Sequence, residues 1–413
     1  MSRRRIDLLA PPFSGHLHPI LAMGRALASD YDVRVVSTPA AQGRIVAAGL
    51  EGVPVLADGD VALRDVVSPP YAVGSNPLRL HRQFSSALQL VQTLRDELFG
   101  LYRHDRPDLL IADFTLASVG LVADELGMAW WTSLPSPCVL ESRDGPPAYM
   151  GGWLPKNGLA GKARDAAGRF CVRTFKSAVG LLYADTMRRV GLVSVYRADG
   201  TEAIYSRERI LVLGMPELEF ARSWPTATTM IGPMLYTPPP IASAPPFRPG
   251  KRHVLVTMGT HLNWCKGQIA AEVQRVAAAM PLIEIHFSDG RDAVQNVERD
   301  GNFTRLSFVD YDQFLCRYDL VVHHGGSGVL YYCLREGKRA VVYPVDYDQF
   351  DNAARLTFAG VACRIYRLDQ LGAAIRQTLA DEGMAARCTS FSTLLKTRDS
   401  KRILQSQVAM HFS

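Results

Sequence analysis

No stretch of this 413-residue sequence is long and apolar enough to cross a bilayer. Cysteine is sparse: seven residues lie scattered, with no Cys-x-x-Cys pair and no zinc spacing. An odd, dispersed set of thiols argues against a disulfide framework and fits a reducing cytosol, so a cytoplasmic protein is expected. Strong net charge is missing too. A balance of +6 at neutral pH suits a small anionic ligand or weak contact with an anionic membrane, and gives no argument for nucleic acid. The opening MSRRRIDLLAPPF sets basic residues before an apolar run, but that run is short, contains Asp7 and ends in two prolines. It reads as a first β-strand and not as a secretion signal.

What is present is a globular composition, 47% hydrophobic and 21% charged, in a chain too long for one ordinary core. Short strands rich in Val, Ile and Leu alternate with helical patterns: IDLLAPP, HLHPILAMGRALAS, YDVRVVST, then DLLIAD, SVGLVADELG and AWWTSLP. Strands buried on both faces and separated by helices predict a parallel, doubly wound sheet. The rhythm breaks between about residues 140 and 200, where Pro, Gly and aromatics precede a long basic helix. YTPPPIASAPPFRPG, residues 236–250, is crowded with proline and can hold neither a helix nor a central strand. It reads as a stiff linker between residues 1–235 and 251–413. Beyond it the alternation restarts with RHVLVTMGT, LIEIHF, RLSFV, DLVVHHGG and AVVYPV. The expected fold class is α/β, two Rossmann-like parallel-sheet domains facing across a cleft.

Open parallel sheets bind ligands beyond the carboxyl ends of their strands. That edge should carry PPFSGHLHP after the first strand, Asp113 at the end of DLLIAD, MGTH after residue 257, and HHGGSG after DLVV. It should also carry both copies of a repeated hexamer, VDYDQF, at 309–314 and 345–350. HHGGSG turns from strand to helix. Glycines there let backbone N–H groups face a ligand, and the helix N-terminus favours negative charge, so the turn fits a diphosphate. A tight turn needing Gly for sterics alone explains it equally well, and the G-x-G-x-x-G dinucleotide spacing is absent. In the second hexamer, a carboxylate beside an amide suits the adjacent hydroxyls of a sugar. A helix cap is the alternative, above all for Asp351. His16 opens the first helix after a turn glycine, with a titration range suited to proton transfer. Asp113, on the same edge, could orient it. His18 competes for that role, and His16 is preferred because it directly follows the turn.

The sequence resembles the GT-B glycosyltransferases of the UDP-glycosyltransferase and macrolide or antibiotic glycosyltransferase type. The residues that carry the likeness are Gly15-His16-x-x-Pro19, Asp113, the Pro-rich linker, His324-x-Gly326, and Pro344-x-x-x-Asp348-Gln349-x-x-Asn352-Ala353. The likeness is strongest from Phe308 to Leu356, moderate over 6–30 and 108–135, and absent from 140 to 200. It implies that His16 is a general base supported by Asp113. It implies that His324, Gly326, Ser327 and Gly328 hold the donor diphosphate, with Gly259 and Thr260 beside it. Asp348 and Gln349 would hold the donor sugar, and Phe308 would stack on the nucleobase. The activity implied is transfer of a sugar from a dTDP- or UDP-sugar, with inversion and without a metal or other cofactor, to a hydroxyl of a small lipophilic natural product.

This sequence departs from the family pattern at three places. Phe308-Val309-Asp310-Tyr311 stands where Trp-x-Pro-Gln is common, and Val329 replaces a frequent Ser or Thr. Tyr332 replaces a ribose-binding Glu, which favours a deoxyribose nucleotide. The acceptor pocket is expected from residues 134–196 and 66–90, with Tyr149 and Trp153 as contacts and Phe170 and Phe175 nearby. Core packing is the alternative for these aromatics. The basic helix near 160–190 is expected to be half buried with a solvated basic face, the alternative being an anionic membrane surface. Two other readings remain open: a glycolipid-forming transferase at the inner membrane face, and a non-catalytic relative that binds ligands or activates a partner.

Overall fold

The computed structural model of the protein describes residues 3–67, 71, 76–238, 244–291 and 297–413. The first half contains β1 (Arg5–Leu9), α1 (Ser14–Leu27), β2 (Asp32–Ser37), α2 (Pro39–Ala47), β3 (Glu51–Pro54), α3 (Asp60–Val67) and α4 (Pro77–Tyr102). It continues with β4 (Leu109–Asp113), α5 (Ala117–Leu126), β5 (Trp130–Leu134), α6 (Gly158–Leu182), α7 (Ala184–Arg189), β6 (Ile210–Val212) and β7 (Thr228–Met230). The seven strands form one parallel sheet in the order β3-β2-β1-β4-β5-β6-β7. Central β4, LLIAD, is buried along its whole length. This is the burial on both faces that a continuous apolar run demands of a parallel strand.

The second half contains β8 (Arg252–Thr257), α8 (Asn263–Ala278), β9 (Ile283–Ser288), β10 (Val297–Asp300), β11 (Phe303–Leu306), α9 (Tyr311–Phe314) and β12 (Leu320–His323). It ends with α10 (Ser327–Arg335), β13 (Arg339–Val342), α11 (Gln349–Phe358), β14 (Ala362–Arg364), α12 (Leu371–Ala380), α13 (Glu382–Thr397) and α14 (Ser400–Phe412). Its sheet runs β10-β11-β9-β8-β12-β13-β14, parallel except for the antiparallel edge strand β10. The last helix lies against the first sheet. Leu404 and Val408 join the core around β1, and Gln405 Nε2 donates to the Ala26 carbonyl at 2.7 Å.

In both sheets the chain order reverses beside the first strand, between β1 and β4 and between β8 and β12. A crevice opens at such switch points, because the two neighbouring loops leave in opposite directions. The Pro-rich stretch joins the halves. Its residues 239–243 lie outside the described residues, but its ends are anchored. Tyr236 is buried in the first core, and Phe247 packs edge-on to Tyr318 (5.0 Å) under the Arg317 guanidinium.

Candidate active site

The loops at both switch points line one cavity of about 600 Å³ between the sheets. On the first sheet, β1 ends and Phe13 turns the chain into α1. His16 Nδ1 lies 3.0 and 3.1 Å from the two carboxylate oxygens of Asp113, at the end of neighbouring β4. Asp113 is itself fixed, since its Oδ1 accepts from the Thr115 N–H (3.0 Å) and the Thr115 hydroxyl (2.5 Å). Burial alone would lower the His16 pKa. The Asp113 charge and hydrogen bond, with the Asp348 charge across the cleft, outweigh burial and raise it. With Nδ1 committed to the carboxylate, Nε2 is the atom left for an acceptor. His18 also lines the cavity, with its ring edge against Tyr236 at 5.5 Å. Burial, then Arg44, pushes its pKa down to about 4.

On the second sheet, HHGGSG leaves β12 and enters α10. Its two histidines diverge. His323 is buried, and its Nδ1 accepts from the Gly325 N–H at 3.0 Å, tying the turn. His324 faces the cavity between two glycines that have no room for a side chain. A Cβ on Gly259 would meet the His324 ring at 2.7 Å, and one on Gly326 at 2.4 Å. Gly259 also has φ 70°, a left-handed conformation open to glycine at little cost. Burial, then Lys266, lowers the His324 pKa to about 4. Ser327 and Gly328 begin α10, whose first N–H groups receive no side-chain cap and point toward the cavity end. Thr260 and half-buried Phe308 line the same wall.

The repeated hexamer takes two conformations. In the first copy Asp310 caps α9, accepting from the N–H groups of Asp312 (2.9 Å) and Gln313 (3.2 Å). Tyr311 turns inward to hydrogen-bond Thr257 at 2.8 Å, beneath the Gly259 turn. In the second copy Tyr347 has φ 53°, and Gln349 Oε1 accepts from Val345 N (2.8 Å) and Asp346 N (3.1 Å). That loop delivers Asp348 and Gln349 to the cavity. Asn352 Nδ2 binds the Gly325 carbonyl at 2.9 Å and Asp348 Oδ2 at 3.2 Å, so the hexamer loop and the glycine turn are one construction. Asp351 is not a cap. Its Oδ2 accepts from the Tyr149 N–H of the first half at 2.8 Å, and burial raises its pKa to about 6.

Residues 254–394 match the glycosyltransferase family 28 C-terminal domain. The chain is 23% identical to 4'-demethylrebeccamycin synthase of Lentzea aerocolonigenes over 379 residues, 87% of each. It is 28% identical to zeaxanthin glucosyltransferase of Pseudescherichia vulneris over 173 residues, 41% of this chain and 40% of that enzyme. The chain has the GT-B fold of glycosyltransferases. The glycotransferase of kitacinnamycin shares its fold with a TM-score of 0.76 at 22% identity, covering 99% of both chains. The Streptomyces sp. SF2575 glycosyltransferase SsfS6, complexed with thymidine diphosphate, does so with a TM-score of 0.65 at 18% identity, over 98% of this chain and 99% of that one.

The structure also departs from the expected acceptor wall. Tyr149 lines the cavity, but Trp153 does not. Gly168 on α6 leaves space for the Trp153 indole, whose ring a Cβ there would meet at 2.8 Å, and the Arg164 guanidinium covers it at 4.9 Å. Phe170 and Phe175 point to solvent. The apolar wall comes from α4, through Leu90, Val91 and Leu94, with Leu56, Leu63 and Val139, so both expected segments contribute, but through Leu90 and Val139 rather than Trp153, Phe170 or Phe175. Residues 68–70 and 72–75 of the expected acceptor segment lie outside the described residues. The basic helix meets the expectation only in part: Lys162, Arg188 and Arg189 are exposed, but other cations are drawn inward. Arg173 and Lys176 of α6 turn inward to Glu141 (3.3 and 2.7 Å), and Lys176 also reaches Glu202 (2.6 Å). Buried Glu202 and half-buried Glu141, invisible as partners in sequence, draw the cations in.

Three contributors escaped the sequence reading. Lys266 on α8 is buried and donates to the carbonyls of Gly259 (2.8 Å) and Asp289 (2.6 Å), fixing two loops of the second sheet, and burial lowers its pKa to about 8. Gly290 approaches the Gly259 carbonyl so closely that a Cβ would lie 2.3 Å from it. Ser136 hydrogen-bonds Asp348 from the opposite half of the molecule.

Proposed function

We propose that this transferase moves a sugar from a dTDP-sugar to a hydroxyl of a small lipophilic acceptor, inverting the anomeric carbon and using no metal. The observation that carries this reading is the His16–Asp113 pair on one wall of a cavity whose opposite wall is the His324 glycine turn and the start of α10. His16 Nε2 takes the acceptor proton as the oxygen attacks, and Asp113 steadies the imidazolium. Asp348, close enough to raise the His16 pKa, holds sugar hydroxyls beside the attacking oxygen, with Gln349. Charge on the departing diphosphate is met by the α10 N-terminus, the glycine N–H groups and His324. In this reading the acceptor attacks from the His16 wall and the diphosphate leaves toward the α10 wall, so the anomeric carbon is inverted.

The apolar α4 wall supports a lipophilic acceptor. Tyr332 supports the deoxyribose nucleotide. Its hydroxyl donates to the Tyr236 carbonyl (3.0 Å) and meets Thr237 (3.1 Å), so no carboxylate stands at that position for a ribose. SsfS6 was crystallised with thymidine diphosphate, a neighbour in fold with the same nucleotide class.

The test is turnover with dTDP-glucose and UDP-glucose against a panel of hydroxylated polyketide and carotenoid acceptors, with the product's anomeric configuration read by NMR. A β-glycoside from the α-linked donor is expected. Retention of configuration would overturn the mechanism, and undiminished turnover by His16→Ala would overturn the base.

A further inference from the structure

The start of α11 takes a donor from the first half of the chain at three positions. The Ser136 hydroxyl bonds Asp348, the Cys138 thiol donates to Asn352 Oδ1 at 3.4 Å, and the Tyr149 N–H donates to Asp351 Oδ2 at 2.8 Å. One turn carries all three acceptors, since the Asp351 N–H itself donates to the Asp348 carbonyl at 3.1 Å. Tyr149 lines the same cavity as Asp348 and Gln349. Burial, then the Asp348 charge, raises the pKa of its hydroxyl.

Tyr149 stands in a conformation that its surroundings must hold. Its φ is 63°, a left-handed backbone that a bulky residue adopts only where neighbours fix it. Those neighbours belong to the second half. Asp351 takes the N–H, while Arg364 of β14 donates Nη2 to the Gly151 carbonyl (2.8 Å) and Nη1 to the Gly152 carbonyl (3.1 Å). Gly152 packs so closely on the Phe350 carbonyl that a Cβ would lie 2.0 Å from it. Asp351 is only 3% exposed, and a buried carboxylate needs donors. Burial raises its pKa to about 6, which leaves it ionised at neutral pH and makes the bond to Tyr149 a charge-assisted one.

We propose that Asp351 is a positioning residue for the acceptor wall, fixing Tyr149 from the opposite half of the molecule. The inference rests on the sugar-transfer reading above and deepens it. Acceptor choice then depends on the helix that follows Asp348 and Gln349, the pair proposed to hold the sugar, and not on the first half alone. A tie that served only to join the halves would have no need of a strained residue at the cavity, and Glu219 with Arg355 already joins them.

The experiment uses the full chain with Tyr149 replaced by 3-fluorotyrosine and read by fluorine NMR. Asp351→Ala should shift or broaden the resonance before any ligand is added, and Asp351→Asn, which keeps an acceptor oxygen, should largely restore it. Arg364→Met loosens the same turn from a half-buried position and should move the resonance too, which keeps the test open if Asp351→Ala does not fold. Kinetics then use saturating dTDP-glucose with 4-methylumbelliferone as acceptor. Asp351→Ala should raise the acceptor KM by about tenfold, the loss of one charge-assisted hydrogen bond, with kcat held within about threefold. Asp351→Asn should recover most of that KM. An unchanged resonance in Asp351→Ala and Arg364→Met would overturn the proposal, and so would a loss confined to kcat. Failure of dTDP-glucose to bind the parent would instead overturn the sugar-transfer reading, and the ligand-free resonance would still decide whether Asp351 positions Tyr149.

Discussion

His16 and Asp113 sit 97 residues apart in sequence, yet Nδ1 of one lies 3.0 and 3.1 Å from the carboxylate oxygens of the other. The contact follows from topology, since β1 and β4 are hydrogen-bonded neighbours whose carboxyl ends open at the switch point. A base must be neutral to accept a proton, so activity should fall as pH drops through the raised His16 pKa. The acid limb of kcat/KM is therefore expected above the ordinary histidine value of about 6.5. Asp113→Asn removes the charge that raises it, so the limb should move to lower pH while kcat falls by about 10² or more. A limb that stays put would separate Asp113 from the titrating group. The same linkage adds stability that is fully present below about pH 6.5 and lost as pH rises through the raised folded value.

His324 is held between Gly259 and Gly326, with no space for a Cβ on either. Gly326→Ala should displace the ring and weaken dTDP binding by at least about tenfold, given that strain of this kind costs roughly 1–3 kcal/mol. Gly328→Ala, where a Cβ meets nothing within 4 Å, should bind nearly as well. Calorimetric titration with dTDP compares the two, and equal affinities would show that the His324 ring position does not matter.

Short apolar strands and turn glycines made most of both sheets and the loops after β1, β8, β12 and β13 legible, because those signals are local, whereas the loop at Gly290 was not. The long helix α4 and the inward cations of α6 were not. A helix reading assumes that charges face water, and Glu141 and Glu202 overturn that assumption from outside the helix. Trp153 was misplaced for the same reason, since its niche is made by Gly168 and Arg164 rather than by its own neighbourhood. The two copies of VDYDQF state the limit most simply. One string is a capped helix at Tyr311 and a left-handed turn at Tyr347, and only the surroundings decide which.

Tyr332 occupies the position where the resemblance places a ribose-binding carboxylate, with its hydroxyl spent on Tyr236 and Thr237. Thermal shift should therefore be larger with dTDP than with UDP at equal concentration. Tyr332→Glu should move the ratio of the two dissociation constants toward UDP. Because the ratio is taken within one protein, loss of stability from the new carboxylate does not obscure it. A wild-type preference for UDP would sink the argument.

In the proposed reaction the leaving diphosphate would meet neutral and positive groups: the α10 N-terminus, His324, and Lys266 behind Gly259. On that proposal those donors take the charge that a divalent ion would otherwise meet. Turnover is expected to be unchanged by EDTA and by added Mg²⁺, whereas His324→Ala should cost about 10² in kcat. Loss of activity in EDTA with recovery on Mg²⁺ would show that these groups are not enough.

Glu219, after β6, holds the two halves of the molecule together through buried arginines. Its Oε1 lies 2.7 Å from Arg355 Nε of α11, and its Oε2 lies 3.4 Å from Arg222 Nη2. All three side chains are at most 5% exposed, and burial has already lowered the Arg222 pKa to about 10. Glu219→Ala strands two guanidinium charges away from water and should destabilise the protein by about 3–5 kcal/mol. Replacing all three residues with Leu and Met removes the charges together with their partner, and should recover most of that loss. Urea midpoints of the single and triple variants measure both effects. A single variant within about 1 kcal/mol of the parent would mean that water reaches the arginines and that the pair does not hold the halves together.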